Sequence, residues 1–168
     1  MEEEPKDVMV LTAIANGKTD EKKIVKFTHL TPFEVAAVIE RLIIAGLVER
    51  VEKKGLLGTK LILNLTEKGG RELHERKFEL EQKYQKMVML AKQGDKKQFE
   101  ETVAMNRSWI PAMMFLGIID MMFWMSMLGM MGMAMSDTIP DGYDAGADMG
   151  GGEGDVGSDF GDLGDIGF

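Results

Sequence analysis

Between Pro5 and Leu65 the apolar positions recur first with a helical period and then in alternation. Val8, Leu11, Ile14 and Ala15 share one face of a helix entered at Glu4-Pro5 and stopped at Gly17. A second short helix is predicted from Asp20 to about Phe27, with Ile24, Val25 and Phe27 inward. The third has the clearest start. Thr31 is the cap, Pro32 the first helical residue, and Glu34 completes a Thr-x-x-Glu capping box. Val35, Val38, Ile39 and Leu42 form its apolar stripe, and Gly46 ends it. The period then changes to two. Val48–Glu52 and Lys60–Leu65 read as antiparallel strands around a tip of seven residues, Lys53–Thr59. Thr66 caps a long helix through about Gln93, Gly94 stops it, and Asp95-Lys96-Lys97-Gln98 opens another that buries Phe99 and Val103.

Beyond Arg107 the chain changes character. Residues 109–135 hold ten of the sixteen methionines and a single charge, Asp120. Residues 1–108 carry 20 bases and 18 acids, a net of +2. Residues 109–168 carry ten acids and no base, which gives the whole chain its −8. There is no cysteine, which excludes disulfides, thiolate metal sites and cysteine nucleophiles. The acidic start Met1-Glu2-Glu3-Glu4-Pro5 lacks the apolar core of a cleaved signal peptide.

Leu42-Ile43-Ile44-Ala45-Gly46-Leu47-Val48-Glu49-Arg50 resembles the "Leu-x-x-x-Gly-Leu-Ile/Val-x-Arg" passage of MarR- and PadR-type winged-helix regulators. Leu65-Thr66-Glu67-Lys68-Gly69 resembles the "Leu-Thr-x-x-Gly" that closes the wing in those families. The resemblance implies a mainly α fold with a small β-hairpin, a winged helix followed by long helices. It also implies a dimeric regulator that binds duplex DNA through the third helix and the wing. Carried onto this sequence, the helix offers Thr31, Phe33, Glu34, Ala37 and Arg41, the wing Lys53, Lys54 and Lys60, and the second helix Lys22 and Lys26. Base reading needs Arg, Lys, Asn or Gln on the recognition helix. Only Arg41 meets that need, and Glu34, Ala37 and Glu40 do not. Winged helices also serve as protein-docking modules, so an adaptor is the competing class.

From Leu73 the positions Leu73, Lys77, Leu80, Tyr84, Met87 and Ala91 follow a 3–4 alternation, a seam for a helix of a second copy or for the chain's own fold. Leu73, Leu80, Tyr84 and Met87 are the expected dimer contacts, by analogy with the flanking helices of those regulators. The methionine-rich segment admits three readings: core or dimer packing, membrane contact, or a groove for a hydrophobic client. One continuous helix here would reach about 40 Å, enough for a bilayer core of about 30 Å. Against spanning, Asp120 costs about 2.5–3.5 kcal/mol near a helix centre, and Pro111, Gly117, Gly129 and Gly132 weaken a single helix. Met113, Met114, Phe115, Met121, Met122, Phe123, Trp124, Met125, Met130 and Met131 are the expected hydrophobic contacts. In composition they resemble the methionine-rich grooves of the signal recognition particle M domain and of tail-anchored-protein chaperones. Methionine's unbranched, polarizable chain suits a surface that accepts varied apolar shapes.

Four regions follow: residues 1–70, a winged helix; 66–108, connecting helices; 109–135, the hydrophobic segment; and 136–168, an acidic Gly/Asp tail expected to be disordered. The tail ends in Asp155-Val156-Gly157, Asp159-Phe160-Gly161, Asp162-Leu163-Gly164, Asp165-Ile166-Gly167 and Phe168, a pattern suited to a protein partner. Calcium repeats of the Gly-Gly-x-Gly-x-Asp type do not fit, because Asp155 falls one position early. His29 and His74 have no second metal-type ligand at useful spacing, and no phosphate loop or nucleophile elbow is present. Neither catalysis nor a cofactor is expected.

Overall fold

The structure, a computed structural model, describes residues 4–141. Its elements run α1 (Pro5–Ala15), α2 (Glu21–Thr28), α3 (Pro32–Ile44), β1 (Val48–Gly55), β2 (Gly58–Leu65), α4 (Glu67–Gln93), α5 (Lys96–Met105), α6 (Ile110–Phe115) and α7 (Met121–Met131), with a short 3-10 turn at Met135–Asp137. The molecule is mainly helical, with one two-stranded antiparallel hairpin among the described residues.

Five helix starts share one device. Asp20, Thr31, Thr66, Asp95 and Asp120 each place a side-chain oxygen on the backbone N–H three residues on, satisfying a donor that the helix leaves orphaned. The capping box at Thr31 and Glu34 is complete in both directions.

α1 differs from the amphipathic helix that its spacing suggests. Every residue from Asp7 to Ile14 is buried, whereas Ala15, expected inward, is exposed. The reason is its place: α1 is flanked by α2, α3, α4, α6 and β2. The hairpin differs too. Its strands pair from Val48↔Leu65 out to Gly55↔Gly58, so the turn is only Leu56-Leu57, and the lysines expected in a loose tip lie in paired strand.

The two stretches that carry the family resemblance meet in space. Thr66 donates from its backbone to the Leu47 carbonyl at 3.1 Å and from its hydroxyl to the Gly46 carbonyl at 2.7 Å. Lys68 Nζ donates to the Ala45 carbonyl at 2.9 Å. The end of α3 is thereby fastened to the start of α4 and closes the base of the hairpin. Gly69 stands so close that an added Cβ would lie 2.0 Å from the Leu47 carbonyl oxygen.

Two apolar cores result. The first gathers Val8, Leu11, Ile24, Val35, Ile39, Leu42, Val48, Leu63 and Leu73. The second gathers Leu80, Tyr84, Met87, Phe99, Val103, Ile110, Met113, Trp124, Met127, Leu128 and Met131. Trp109 and Leu116 pack against both cores, and the Phe27 and Phe115 rings meet edge to face at 5.4 Å, so the cores adjoin.

The methionine-rich segment is two short helices, not one. Gly117 (φ +73°) ends α6, and Asp120 caps α7 by accepting from Phe123 N–H at 2.8 Å. Among the described residues no helix is long and apolar enough to cross a membrane. Residues 136–141, read from sequence as tail, belong to the folded body. Thr138 is fully buried, and Arg107 donates to the carbonyls of Ile139 (2.6 Å) and Ser136 (3.3 Å). The rest of the expected tail, 142–168, lies outside the described residues.

Candidate interaction surfaces

Three groups of residues stand out as candidate sites: the outward face of α3, the lysines of the hairpin and α2, and the outward face of α7.

On α3 the core stripe Val35, Val38, Ile39 and Leu42 turns Phe33, Ala37, Glu40 and Ile44 the other way. Phe33 and Ile44 are each 84% exposed. The polar residues at the margin of this face are already engaged. Arg41 Nη2 donates to Asp7 Oδ1 of α1 and, at 3.3 Å, to Glu4 Oε2, and Asp7 is buried. The Asp7 hydrogen bond foremost raises the Arg41 pKa above its ordinary value. Lys6 Nζ donates to Glu34 Oε1 at 2.9 Å. That bond first, then the Thr31 backbone N–H, lowers the Glu34 carboxyl from 4.5 to about 2. Glu40 pairs with Arg50 of β1. Thr31, the capping residue, is itself exposed. What remains outward on α3 is apolar.

The lysines are distributed differently. Lys53 and Lys54 of β1 and Lys22 and Lys26 of α2 are exposed and have no ion pair among the described residues. Lys60 stands 3.9 Å from Asp20, which Lys23 also approaches at 3.7 Å. A cleft of about 490 Å³ between the start of α2 and the hairpin is lined by Asp20, Lys22, Arg50, Lys60 and Leu61 among others. Asp20 offsets part of its positive field. At the hairpin end Leu56 and Leu57 are fully exposed, and Leu61 is 59% exposed.

The expected hydrophobic contacts divide in three. Met113, Trp124 and Met131 are buried in the second core, while Met114, Phe115 and Met121 are half-buried. Met122, Phe123, Met125 and Met130 are exposed, Met122 at 83%. Trp124 sits 6.2 Å from Tyr84 and 6.1 Å from Phe99, ring to ring. Its indole N–H is buried without a hydrogen-bond partner among the described residues. Burial, with a smaller contribution from the Asp120 charge, raises the Tyr84 pKa. The expected dimer seam is occupied within the chain: Leu73 belongs to the first core, and Leu80, Tyr84 and Met87 to the second.

Sequence reasoning missed Asp7, Glu4 and Lys6, which neutralise the margin of α3. The available signal was an acid at position 7 on the same helical face as Leu11 and Ile14, since a carboxylate on a buried face requires a cation. It also missed Ile44, which the spacing 33, 37, 44 places opposite the core stripe.

No protein-family model, curated protein or solved structure matches this chain.

Proposed function

We propose that the chain is an adaptor whose N-terminal half is a winged helix used for protein docking, with the α7 face as a second contact for an apolar segment. The observation that carries this reading is the state of Arg41. It is the only base-reading side chain expected on α3, and both its carboxylate partners lie on or beside α1. A helix whose outward residues are Phe33, Ala37 and Ile44, with Glu40 paired, presents no donor set for base edges. It presents an aromatic and aliphatic anchor of the kind that dominates protein interfaces. α7 supports the same reading, because a helix apolar on all sides is normally covered on all sides. One side packs on α4, and the methionines of the other are exposed.

Duplex DNA is the second reading, favoured by Lys22, Lys26, Lys53 and Lys54, which have no ion pair among the described residues. Such contacts reach phosphate and carry no sequence information. A photo-reactive residue at position 33 of the full chain separates the two. Under the docking reading it forms one discrete protein adduct in cells, lost on Ile44→Asp and retained on Lys53→Ala with Lys54→Ala. Adducts to DNA alone, sensitive to the lysines, would establish the regulator instead.

A further inference from the structure

We propose that the acidic C-terminal segment of this chain, residues 153–168, docks on the tip of the β1–β2 hairpin of the same molecule. This goes beyond the adaptor reading and needs neither the α3 nor the α7 contact.

Among the described residues the hairpin end combines exposed leucines with Lys53 and Lys54, which have no ion pair, and Lys60, which approaches Asp20 at 3.9 Å. Leu56 and Leu57 form the turn, Lys53 and Lys54 precede it, and Lys60-Leu61 follow. Directly opposed residues share a face of an antiparallel pair, and successive residues alternate. The register Lys54↔Thr59 and Glu52↔Leu61 therefore places Lys54 and Leu61 on one face. Lys53 and Lys60 are opposed on the other. Both strands are also sheet edges, which leaves backbone donors and acceptors open along the finger.

The segment has the complementary pattern. Asp155-Val156, Asp159-Phe160, Asp162-Leu163 and Asp165-Ile166 are four acid–apolar pairs, Glu153 adds a fifth acid, Phe168 adds a further apolar side chain, and there is no base among residues 153–168. The segment's carboxylates and apolar side chains match the ammonium groups and leucines of the tip in chemistry, with Glu52, opposite Leu61, the one acid on that face. The other exposed surfaces match only half of it. The outward face of α7, Met122, Phe123, Met125 and Met130, carries no cation of its own, the nearby Lys96 standing at the helix's far end beside Gly132, so most carboxylates brought against it would lose water without a partner. Of the α2 lysines, Lys22 lines the same cleft as Leu61 and so belongs to the edge of this surface, whereas the apolar neighbours of Lys26 on its own helix, Val25 and Phe27, are half-buried.

Reach is set by chain length. The described chain ends at Asp141, whose carboxylate Arg107 holds at 3.3 Å. A Gly-rich coil as long as the stretch from there to Phe160 has a root-mean-square span of about 25 Å and a fully extended span of about 65 Å. A folded body of this size has a radius of gyration of about 14 Å. Tethering then gives millimolar effective concentration, so weak individual contacts suffice. The consequence is competition, since any anionic polymer approaching Lys53 and Lys54 must first displace the chain's own acidic segment.

The absence of native cysteine allows a single nitroxide on Ser158→Cys in the full-length chain. Paramagnetic broadening of amide resonances should centre on Lys53–Leu61 and be independent of protein concentration. It should disappear with Lys53→Glu plus Lys54→Glu, with Phe160→Ala plus Phe168→Ala, and at about 1 M salt, where the Debye length falls to about 3 Å. Unchanged circular dichroism would show that the variants fold. Four results would each overturn the proposal: no broadening, broadening centred on α7 or α3, broadening that survives charge reversal, or broadening that rises with concentration and so reports a second copy. None of them bears on the adduct at position 33, so the two readings fail separately.

Discussion

Arg41 fastens α3 to α1 through one guanidinium. Its partner Asp7 is 3% exposed, and an unpaired carboxylate at that depth is strongly unfavourable. Arg41→Ala should therefore cost about 3 kcal/mol in urea denaturation. Phe33→Ala, on the outward face, should change stability by less than about 0.5 kcal/mol. The contrast separates a residue that holds the fold from one free to meet a partner. Glu34 gives a test in pH. Its folded pKa, about 2, lies below the ordinary 4.5, so its contribution is present above pH 4.5 and is lost as pH falls from 4.5 toward 2. After allowance for solvent screening, Glu34→Gln should destabilise by about 1 kcal/mol at pH 7, and the difference from native should vanish near pH 2. Gly69→Ala meets backbone at 2.0 Å and should cost about 3 kcal/mol. The glycine was visible in the sequence as the end of a motif, but its cause, contact with Leu47, depends on a partner 22 positions away and was not.

At the scale of elements, capping and periodicity were legible because they are local. Thr31 with Glu34, Thr66 and Asp95 all start helices where side-chain chemistry places them. What depends on neighbours was not legible. α1 is buried on every side because five elements surround it, and a one-face pattern does not carry that information. Asp120 has a double meaning in sequence. As a charge it counts against a membrane helix, and in the structure it is the cap that lets α7 begin. The flexible methionines also lack the period that would divide them between core and surface. The division is testable. Trp124→Ala, at a fully buried site, should cost about 3–5 kcal/mol. Met125→Ala, on the same helix but outward, should cost less than about 0.5 kcal/mol by thermal melting.

On the scale of the whole molecule, α4 carries the chain from one core to the other, with Leu73 in the first and Leu80, Tyr84 and Met87 in the second. The 3–4 alternation along α4 was correctly legible as a packing seam, but periodicity does not say whose helix fills it. Here α5, α6 and α7 of the same chain do. Phe33 and Ile44 on α3, and Met122, Met125 and Met130 on α7, are the exposed apolar residues that the proposed docking uses. The central claim is that α3 meets protein rather than bases, and the most direct measurement is selection of full-length chain against a random duplex library at low salt. No sequence motif should be enriched, and any residual binding should fall steeply with salt and with Lys53→Ala plus Lys54→Ala. Recovery of a defined motif whose binding weakens on changing Ala37 or Arg41, with the fold intact, would contradict it.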